Sequence, residues 1–145
     1  MPNPVVFDFD LAAMDWPRIT GWLAGSYWSP GISQRYVEQG ACASTVVIGA
    51  FVDGVQVGYG RAVSDTVRFL YLADIYVDPA WRGRGIASEL VRQLLTHPLL
   101  AQVASGYLLT SDAHALYRRF GFDTYPTPER FMLRRNPDAL DFTED

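Results

Sequence analysis

The sequence contains no lysine, and all 12 of its positively charged side chains are arginines. An enzyme that forms a Schiff base needs a lysine amine, and a Walker-type nucleotide site needs the lysine after its glycine loop. Both kinds of chemistry are therefore excluded. Any fixed positive charge that this chain offers a ligand comes from guanidinium groups, whose planar fork suits phosphate and carboxylate.

Cysteine and histidine are almost as scarce. Cys42 is the only cysteine, so neither an intrachain disulfide nor a multi-cysteine metal site can form. We expect its side chain to pack as a small buried apolar group. The two histidines, His97 and His114, are too far apart in the sequence to suggest a shared metal site. No metal cofactor is expected.

The chain also lacks long apolar and long basic runs. No apolar stretch approaches the roughly 18 residues of a membrane-spanning helix. The first residues, "MPNPVVFDFD", show no basic segment followed by an apolar one, so we expect no signal peptide and a cytoplasmic protein. The net charge of −4 disfavours nucleic acid and membrane surfaces as partners.

The spacing of apolar residues predicts ten elements in one domain, residues 1–145. An Asp53-Gly54 hairpin turn joins the second and third strands. In chain order the elements are a strand at 4–9, helices at 15–25 and 33–39, strands at 44–52, 55–63 and 66–77, a helix at 83–96, a strand at 106–111, a helix at 112–121 and a strand at 130–135. This order predicts an α+β fold in which a mixed, mostly antiparallel sheet is flanked by helices.

One short stretch, "VDPAWRGRGIASEL" at 77–90, combines a strand end, an arginine–glycine turn and a helix start. The first N–H groups of a helix lack acceptors within the helix and lie at the positive end of its dipole. Glycine allows an anion to approach the backbone closely, and arginine adds formal charge. The alternative, that Arg82 and Arg84 are only solvated, is weaker because arginine at a helix start is unfavourable without an anion. The stretch predicts a phosphate-binding turn.

The residues of this turn resemble the GNAT superfamily of acyl-CoA-dependent N-acetyltransferases. Arg82-Gly83-Arg84-Gly85-Ile86-Ala87 matches its signature [Q/R]-x-x-G-x-[G/A]. Upstream, "DIYVDPAWRGRGIA" is similar to the strand that leads into the cofactor helix of the family. Downstream, "ALYRRFGF" is similar to its "LYxxxGF" segment. The "DAHALY" stretch further resembles a bacterial subset with a "DAH-x-LY" pattern, and the predicted element order agrees over nearly the whole chain.

The resemblance implies a GNAT-like fold with acetyl-CoA as acyl donor. It places the pyrophosphate of coenzyme A in the turn formed by Arg82, Gly83, Arg84, Gly85, Ile86 and Ala87. It also implies that the strand before the turn splays from its neighbour, which puts Ile75 and Val77 on the pantetheine arm. Many relatives carry an asparagine where this chain has Thr110, whose hydroxyl can still hydrogen-bond pantetheine.

Acetyl transfer to an amine releases a thiolate that must gain a proton, and Tyr117 is the candidate acid. A phenol with an ordinary pKa near 10 stays protonated at neutral pH. Helical spacing alone places Tyr117 on an apolar face with Leu116 and Phe120, which favours a core position. The family position implies the catalytic role. Both hold if the ring packs while the hydroxyl reaches the site.

Three further residues are candidates for the amine side. Alternation along the strand puts Leu72, Asp74 and Tyr76 on one face, and a carboxylate in an apolar strand needs a partner or water. Asp74 is therefore either a base or anchor for the amine, or an ion-pair partner of an arginine such as Arg61 or Arg68. Tyr27 and Trp28 follow the first helix; the family implies that they border the acceptor pocket, and core packing is the alternative.

The resulting prediction is an N-acetyltransferase that moves an acetyl group from acetyl-CoA directly to the primary amine of a small molecule or peptide. The alternative is a non-catalytic module that binds acyl-CoA on the same fold. A third class, a phosphate or nucleic-acid binder, conflicts with the acidic composition. The sequence does not select the acceptor, and relatives suggest a homodimer.

Overall fold

The computed structural model describes residues 3–145 of the chain. Its strands are β1 (Val6–Asp8), β2 (Val46–Val52), β3 (Val55–Ser64), β4 (Phe69–Val77) and β5 (Ser105–Tyr107). Its α-helices are α1 (Trp16–Ala24), α2 (Gln34–Cys42), α3 (Ile86–Thr96) and α4 (His114–Arg118). Short 3-10 turns occupy Leu11–Ala13, Pro79–Trp81 and Pro128–Arg130.

The five strands form one sheet in the order β1-β2-β3-β4-β5. The first four strands pair antiparallel to their neighbours, whereas β5 runs parallel to β4. Parallel neighbours need a crossover, and α3 supplies it between β4 and β5. The expected α+β fold with a mixed, mostly antiparallel sheet and flanking helices is confirmed.

Local sequence signals explain several element boundaries. The carboxylate of Asp15 accepts a hydrogen bond from the Arg18 N–H at 3.1 Å and so caps α1, which ends at Gly25. Asp53 and Gly54 have φ angles of 50° and 78°, as the tight turn between β2 and β3 requires.

Two cores lie in the fold. The larger one packs α3 against the sheet through Leu90, Val91 and Leu94. The smaller one packs α1 and α2 through Ile19, Leu23 and Val37, together with Tyr59 of β3. Because both helical layers bury apolar surface on the sheet, the strands fix the positions of the loops that follow α1 and β4.

The helix after the arginine–glycine turn begins later than the sequence predicts. The apolar spacing places its start at residue 83, but α3 starts at Ile86, because Gly83 and Gly85 both have φ of 77°. That left-handed conformation cannot continue into a right-handed helix. The last predicted strand, at 130–135, is wrong: the segment is a 3-10 turn followed by irregular chain. A strand needs a hydrogen-bonded partner, and the adjacent edge strand β5 has only three residues.

The prediction that Cys42 is buried is wrong. Cys42 is exposed at the end of α2, where Ala41 takes the inward position.

Within residues 3–145, no helix has the length and apolar content needed to cross a bilayer.

Candidate active site

A cleft of about 980 Å³ opens beside the second half of β4. Strand β5 pairs with β4 only over Phe69–Tyr71, so within residues 3–145 the rest of β4 has no strand on that edge. The cleft is bounded by the end of β4, the start of α3, and the loops that follow α1 and β5. Its lining includes the candidate residues Tyr27, Trp28, Asp74, Ile75, Val77, Arg82, Gly83, Gly85, Ile86, Ala87, Thr110 and Tyr117.

The arginine–glycine turn forms one end of this cleft. A Cβ atom placed on Gly83 or Gly85 would meet no atom within 4 Å, so the backbone there faces open space. Gly85 is the N-cap of α3 and offers no side chain to the first N–H groups of the helix. These N–H groups and the helix dipole give the turn the chemistry that suits an anion, as the sequence predicts.

The two arginines of the turn lie in different places. Arg82 lines the cleft; its Nε donates to the Val77 carbonyl at 3.1 Å, and its guanidinium carbon lies 5.3 Å from the centre of the Tyr76 ring. The Arg84 guanidinium instead lies 4.5 Å from the centre of a Trp81 ring. Arg84 is not among the residues that line the cleft, so the structure brings only one of the pair into it.

Ile75 and Val77 offer the cleft their backbone more than their side chains. Val77 is buried in the core beneath α3, and Ile75 packs against the same core. Their strand edge leaves peptide groups available to a ligand that lies along it. Thr110, at the opposite wall, accepts hydrogen bonds from the N–H groups of Ala113 at 3.0 Å and Asp112 at 3.4 Å. Its hydroxyl thus orders the turn into α4 and retains a proton to donate.

Tyr117 is both a core residue and a residue of the cleft, the two positions that the sequence left open. Its side chain is only 9% exposed, belongs to the core under α3, and packs edge-on against Phe122. The same residue lines the cleft. Burial, with smaller contributions from Tyr27 and Asp112, raises the pKa of Tyr117 to about 12. Its phenol therefore remains protonated through the physiological range.

The backbone at Asp74 departs from the expected alternation. Asp74 and Ile75 together lie opposite Gly60 alone, and Asp74 has φ of 58°. This β-bulge re-aims the side chains, so that Leu72 and Ile75 pack in the same core instead of on opposite faces. The prediction that Leu72, Asp74 and Tyr76 share one face is therefore wrong.

The carboxylate of Asp74 is bound on both oxygens. Oδ2 accepts a hydrogen bond from Arg61 Nε at 2.8 Å, and Oδ1 accepts one from the Trp28 indole Nε1 at 2.9 Å. Of the two arginines that the sequence offers as partners, Arg61 is thus the one in contact. Side chains from β3 and from the loop after α1 thus fix the position of this carboxylate.

Tyr27 and Trp28 form part of the rim of the cleft. They are 53% and 41% exposed, so neither is a core residue. The Tyr27 hydroxyl accepts a hydrogen bond from the Ser111 N–H at 2.9 Å. This contact ties the loop after α1 to the loop after β5 at the cleft.

Sequence reasoning missed two arginines in the lining, Arg119 and Arg135. Arg119 Nη1 donates to Ser88 Oγ in the first turn of α3 at 3.4 Å, which places a third guanidinium near the anion site. Its place two residues after Tyr117 in "ALYRRFGF" was a usable signal. Arg135 comes from the C-terminal segment, and no local pattern marks it. Among residues 3–145, no group of three or more histidine, cysteine, aspartate or glutamate side chains could hold a metal ion.

Comparison with known proteins identifies the family and the fold. Residues 10–122 match the model of the acetyltransferase (GNAT) family. The chain is 32% identical over 122 residues to the N-alpha-acetyltransferase RimI of Mycobacterium tuberculosis, a match that covers 81% of this chain and 75% of the relative. A crystal structure of a GNAT-family protein from Xanthomonas campestris superposes with a TM-score of 0.87 at 35% identity, over 94% of this chain and 96% of that one.

The chain belongs to the GNAT family of acetyltransferases. Members of this family use acetyl-CoA, and an acetyltransferase from Clostridium acetobutylicum that shares the fold was crystallised with it (TM-score 0.68, 16% identity, 90% of this chain and 96% of that one). The cleft fits such a ligand, because an open glycine turn for the diphosphate lies at one end of an unpaired strand edge. Membership in the subset with the "DAH-x-LY" pattern stays a prediction.

Proposed function

We propose that this protein transfers an acetyl group from acetyl-CoA to the α-amino group at the N-terminus of a peptide or protein, with Tyr117 as general acid. The observation that carries the proposal is the convergence of the anion-binding turn, Tyr117 and the Tyr27–Trp28 rim on one cleft. The choice of an α-amino acceptor over a small-molecule amine is supported by the similarity to an N-alpha-acetyltransferase.

Backbone groups and three side chains would anchor the cofactor. The N–H groups at the start of α3, with Arg82 and Arg119, would hold the diphosphate. The exposed backbone from Ile75 to Val77 would hydrogen-bond the pantetheine amides, and Thr110 would hold the same arm from the opposite wall. When bound, acetyl-CoA supplies the thioester whose carbonyl carbon the amine attacks.

Tyr117 would act as a proton shuttle. The departing sulfur has a conjugate acid resembling a cysteine thiol, with a pKa near 8.5, whereas the buried phenol is a much weaker acid. A lasting phenolate would therefore be unfavourable. Tyr117 would give its proton to sulfur while it regains one from the acceptor nitrogen, which becomes positively charged during attack and must lose a proton to form the amide.

Asp74 and the aromatic rim would serve the acceptor. Asp74, held in place by Arg61 and Trp28, would accept a hydrogen bond from the acceptor amine, which attacks in its neutral form. Trp28 and Tyr27 offer flat surfaces on which the first side chain of a peptide can pack.

A thiol-release assay with three acceptor sets tests the proposal. The sets are short peptides with a free N-terminus and no lysine, the same peptides with a blocked N-terminus, and small amines. Transfer to the free peptides alone supports the proposal. Transfer to small amines alone keeps the family activity and overturns the choice of acceptor. Binding of acetyl-CoA by calorimetry without transfer to any set would favour the non-catalytic module.

A further inference from the structure

The bulge at Asp74 is held by side chains from two other parts of the fold. A non-glycine residue at φ of 58° is uncommon, because the left-handed region is sterically unfavourable for residues with a Cβ. Such a conformation persists where surrounding contacts impose it. Here the contacts are the hydrogen bonds from Arg61 in β3 and Trp28 in the loop after α1.

Arg61 is itself fixed on its far side. Its Nη1 donates to Ser44 Oγ at 3.2 Å, just beyond the end of α2. Its guanidinium carbon also lies 3.7 Å from the point where a Cβ on Gly40 would stand, so the guanidinium lies over the backbone of α2 at van der Waals distance. The Arg61 and Asp74 side chains are 24% and 14% exposed, which shields the pair from water and salt.

Trp28 has no comparable support in the core. It packs edge-on against Tyr27 and at a tilt against Tyr76, with ring centres 5.0 Å and 6.5 Å away, and it is 41% exposed. The indole N–H has one direction in which to donate, and Asp74 lies there at 2.9 Å. The carboxylate therefore sets the plane in which the indole faces the cleft.

We propose that Arg61 is a positioning residue for the acceptor, which fixes Trp28 at the rim of the cleft through the carboxylate of Asp74. The chain of contacts runs from α2 through Ser44, Arg61 and Asp74 to Trp28. This inference rests on the proposed function for its consequence in catalysis, but the contact chain itself is open to test without any substrate.

The first test follows the Trp28 indole N–H by ¹H–¹⁵N correlation NMR. The protein has four tryptophans, and Trp28→Phe identifies the signal that belongs to Trp28. In Arg61→Gln the Trp28 signal should shift and exchange faster with water, while the other three indole signals stay in place. Arg68→Gln, which removes an exposed arginine, is the control and should leave all four unchanged. An unmoved Trp28 signal in Arg61→Gln overturns the proposal.

If Arg61→Gln does not fold, Ser44→Ala takes its place. That variant removes the outer hydrogen bond on the guanidinium, together with the hydrogen bond from the Ser44 hydroxyl to the Gly40 carbonyl, and keeps the charge pair. A smaller shift of the Trp28 signal in the same direction supports the contact chain, and no shift contradicts it.

The second test is a double-mutant cycle in acetyl transfer to the free peptides. Arg61→Gln and Trp28→Phe should each raise KM for the acceptor about tenfold, as the loss of one charge-assisted hydrogen bond implies. KM for acetyl-CoA should stay within about twofold, since neither side chain lies at the anion-binding turn. The double variant should be no worse than the more impaired single variant. Additive losses, or equal losses for acetyl-CoA, would mean that Arg61 acts only through stability.

The two tests separate failure of this proposal from failure of the proposed function. If the wild-type protein acetylates no peptide, the proposed function is wrong, and the NMR test still decides whether Arg61 fixes Trp28. If peptides are acetylated and the cycle is additive, the proposed function stands and the positioning role does not.

Discussion

The Arg84 guanidinium lies 4.5 Å from the centre of a Trp81 ring, and Arg84 is not among the residues that line the cleft, although Trp81 is. Arg82, two residues earlier, faces the cleft over Tyr76. The two arginines look equivalent in the sequence, since each is followed by a glycine. The structure separates them into one that can reach a diphosphate and one that packs on the 3-10 turn.

Arg82→Ala should weaken the binding of coenzyme A about ten- to a hundredfold, because a guanidinium–phosphate contact is charge-assisted and partly shielded. Isothermal titration calorimetry measures the affinity. Arg84→Ala is the matched control and should weaken binding less than about threefold through long-range charge alone. Equal losses in the two variants would show that the turn binds through general positive charge and not through the geometry seen here.

Tyr117→Phe should lower kcat about 100-fold or more, the usual contribution of general acid catalysis, while the Kd for acetyl-CoA stays within about twofold. The ring still packs against Phe122, so the fold should be kept. Steady-state kinetics with calorimetry on the same sample provide both values. An unchanged kcat would assign Tyr117 to the core alone.

The alkaline limb of the pH profile gives an independent test of Tyr117. Its pKa is raised to about 12, so the acid form that the mechanism needs persists well above pH 10. On the acid side, a rise in pH frees the acceptor amine and increases the rate. We expect kcat in the wild type to rise and then level, without a decline centred near pH 10. A decline there would indicate a phenol with an ordinary pKa and would contradict the buried site.

The sequence alone predicts the position of a cap or a turn where one local signal determines it. The Asp15 cap, the Asp53-Gly54 turn and the arginine–glycine turn lie where the sequence placed them. The bulge at Asp74 was not predictable, because it depends on Arg61 and Trp28, which are remote in the sequence and meet Asp74 only in the folded sheet. Arg135 was missed for a related reason, since irregular chain carries no periodicity that could show where a side chain points.

The placement of α1, and hence of the rim that follows it, depends on space beside Gly49. A Cβ there would lie 2.7 to 2.9 Å from Phe51, Gln56 and Met14 side-chain atoms. The Gln56 side chain cannot move freely, because it is buried, accepts from the Asp15 N–H at 2.8 Å and donates to the Gly58 carbonyl at 3.0 Å. Gly49→Ala should therefore destabilise the fold by about 1–3 kcal/mol.

Urea unfolding followed by circular dichroism measures this change, and Gly21→Ala is its control. Gly21 lies within α1, and a Cβ added there would meet no atom within 4 Å, so alanine should stabilise the protein by about 0.5–1 kcal/mol. If both substitutions proved neutral, the tight contacts beside Gly49 would not be the constraint described.

The C-terminal segment, residues 131–145, contacts the chain that follows the Tyr27–Trp28 rim. The Ser33 N–H donates to the Phe142 carbonyl at 2.8 Å, and the Ser33 hydroxyl donates to the Glu144 carbonyl at 3.3 Å. At its other end Phe131 packs against Tyr125 and Tyr107. The chain between these anchors brings Arg135 into the lining of the cleft.

Because this segment is anchored beside the loop after α1, which carries Tyr27 and Trp28, its loss should affect the two substrates unequally. A chain ending at Arg130 should show a higher KM for the peptide acceptor and an unchanged Kd for coenzyme A. Arg135→Gln should reproduce part of that effect, by about three- to tenfold if its guanidinium contacts the acceptor, whereas Arg134→Gln should not, since Arg134 lies outside the lining. Matched values for the two glutamine variants would mean that the segment acts by covering the rim and that the Arg135 guanidinium makes no contact of its own. Weaker coenzyme A binding in the shortened chain would instead place the segment on the cofactor.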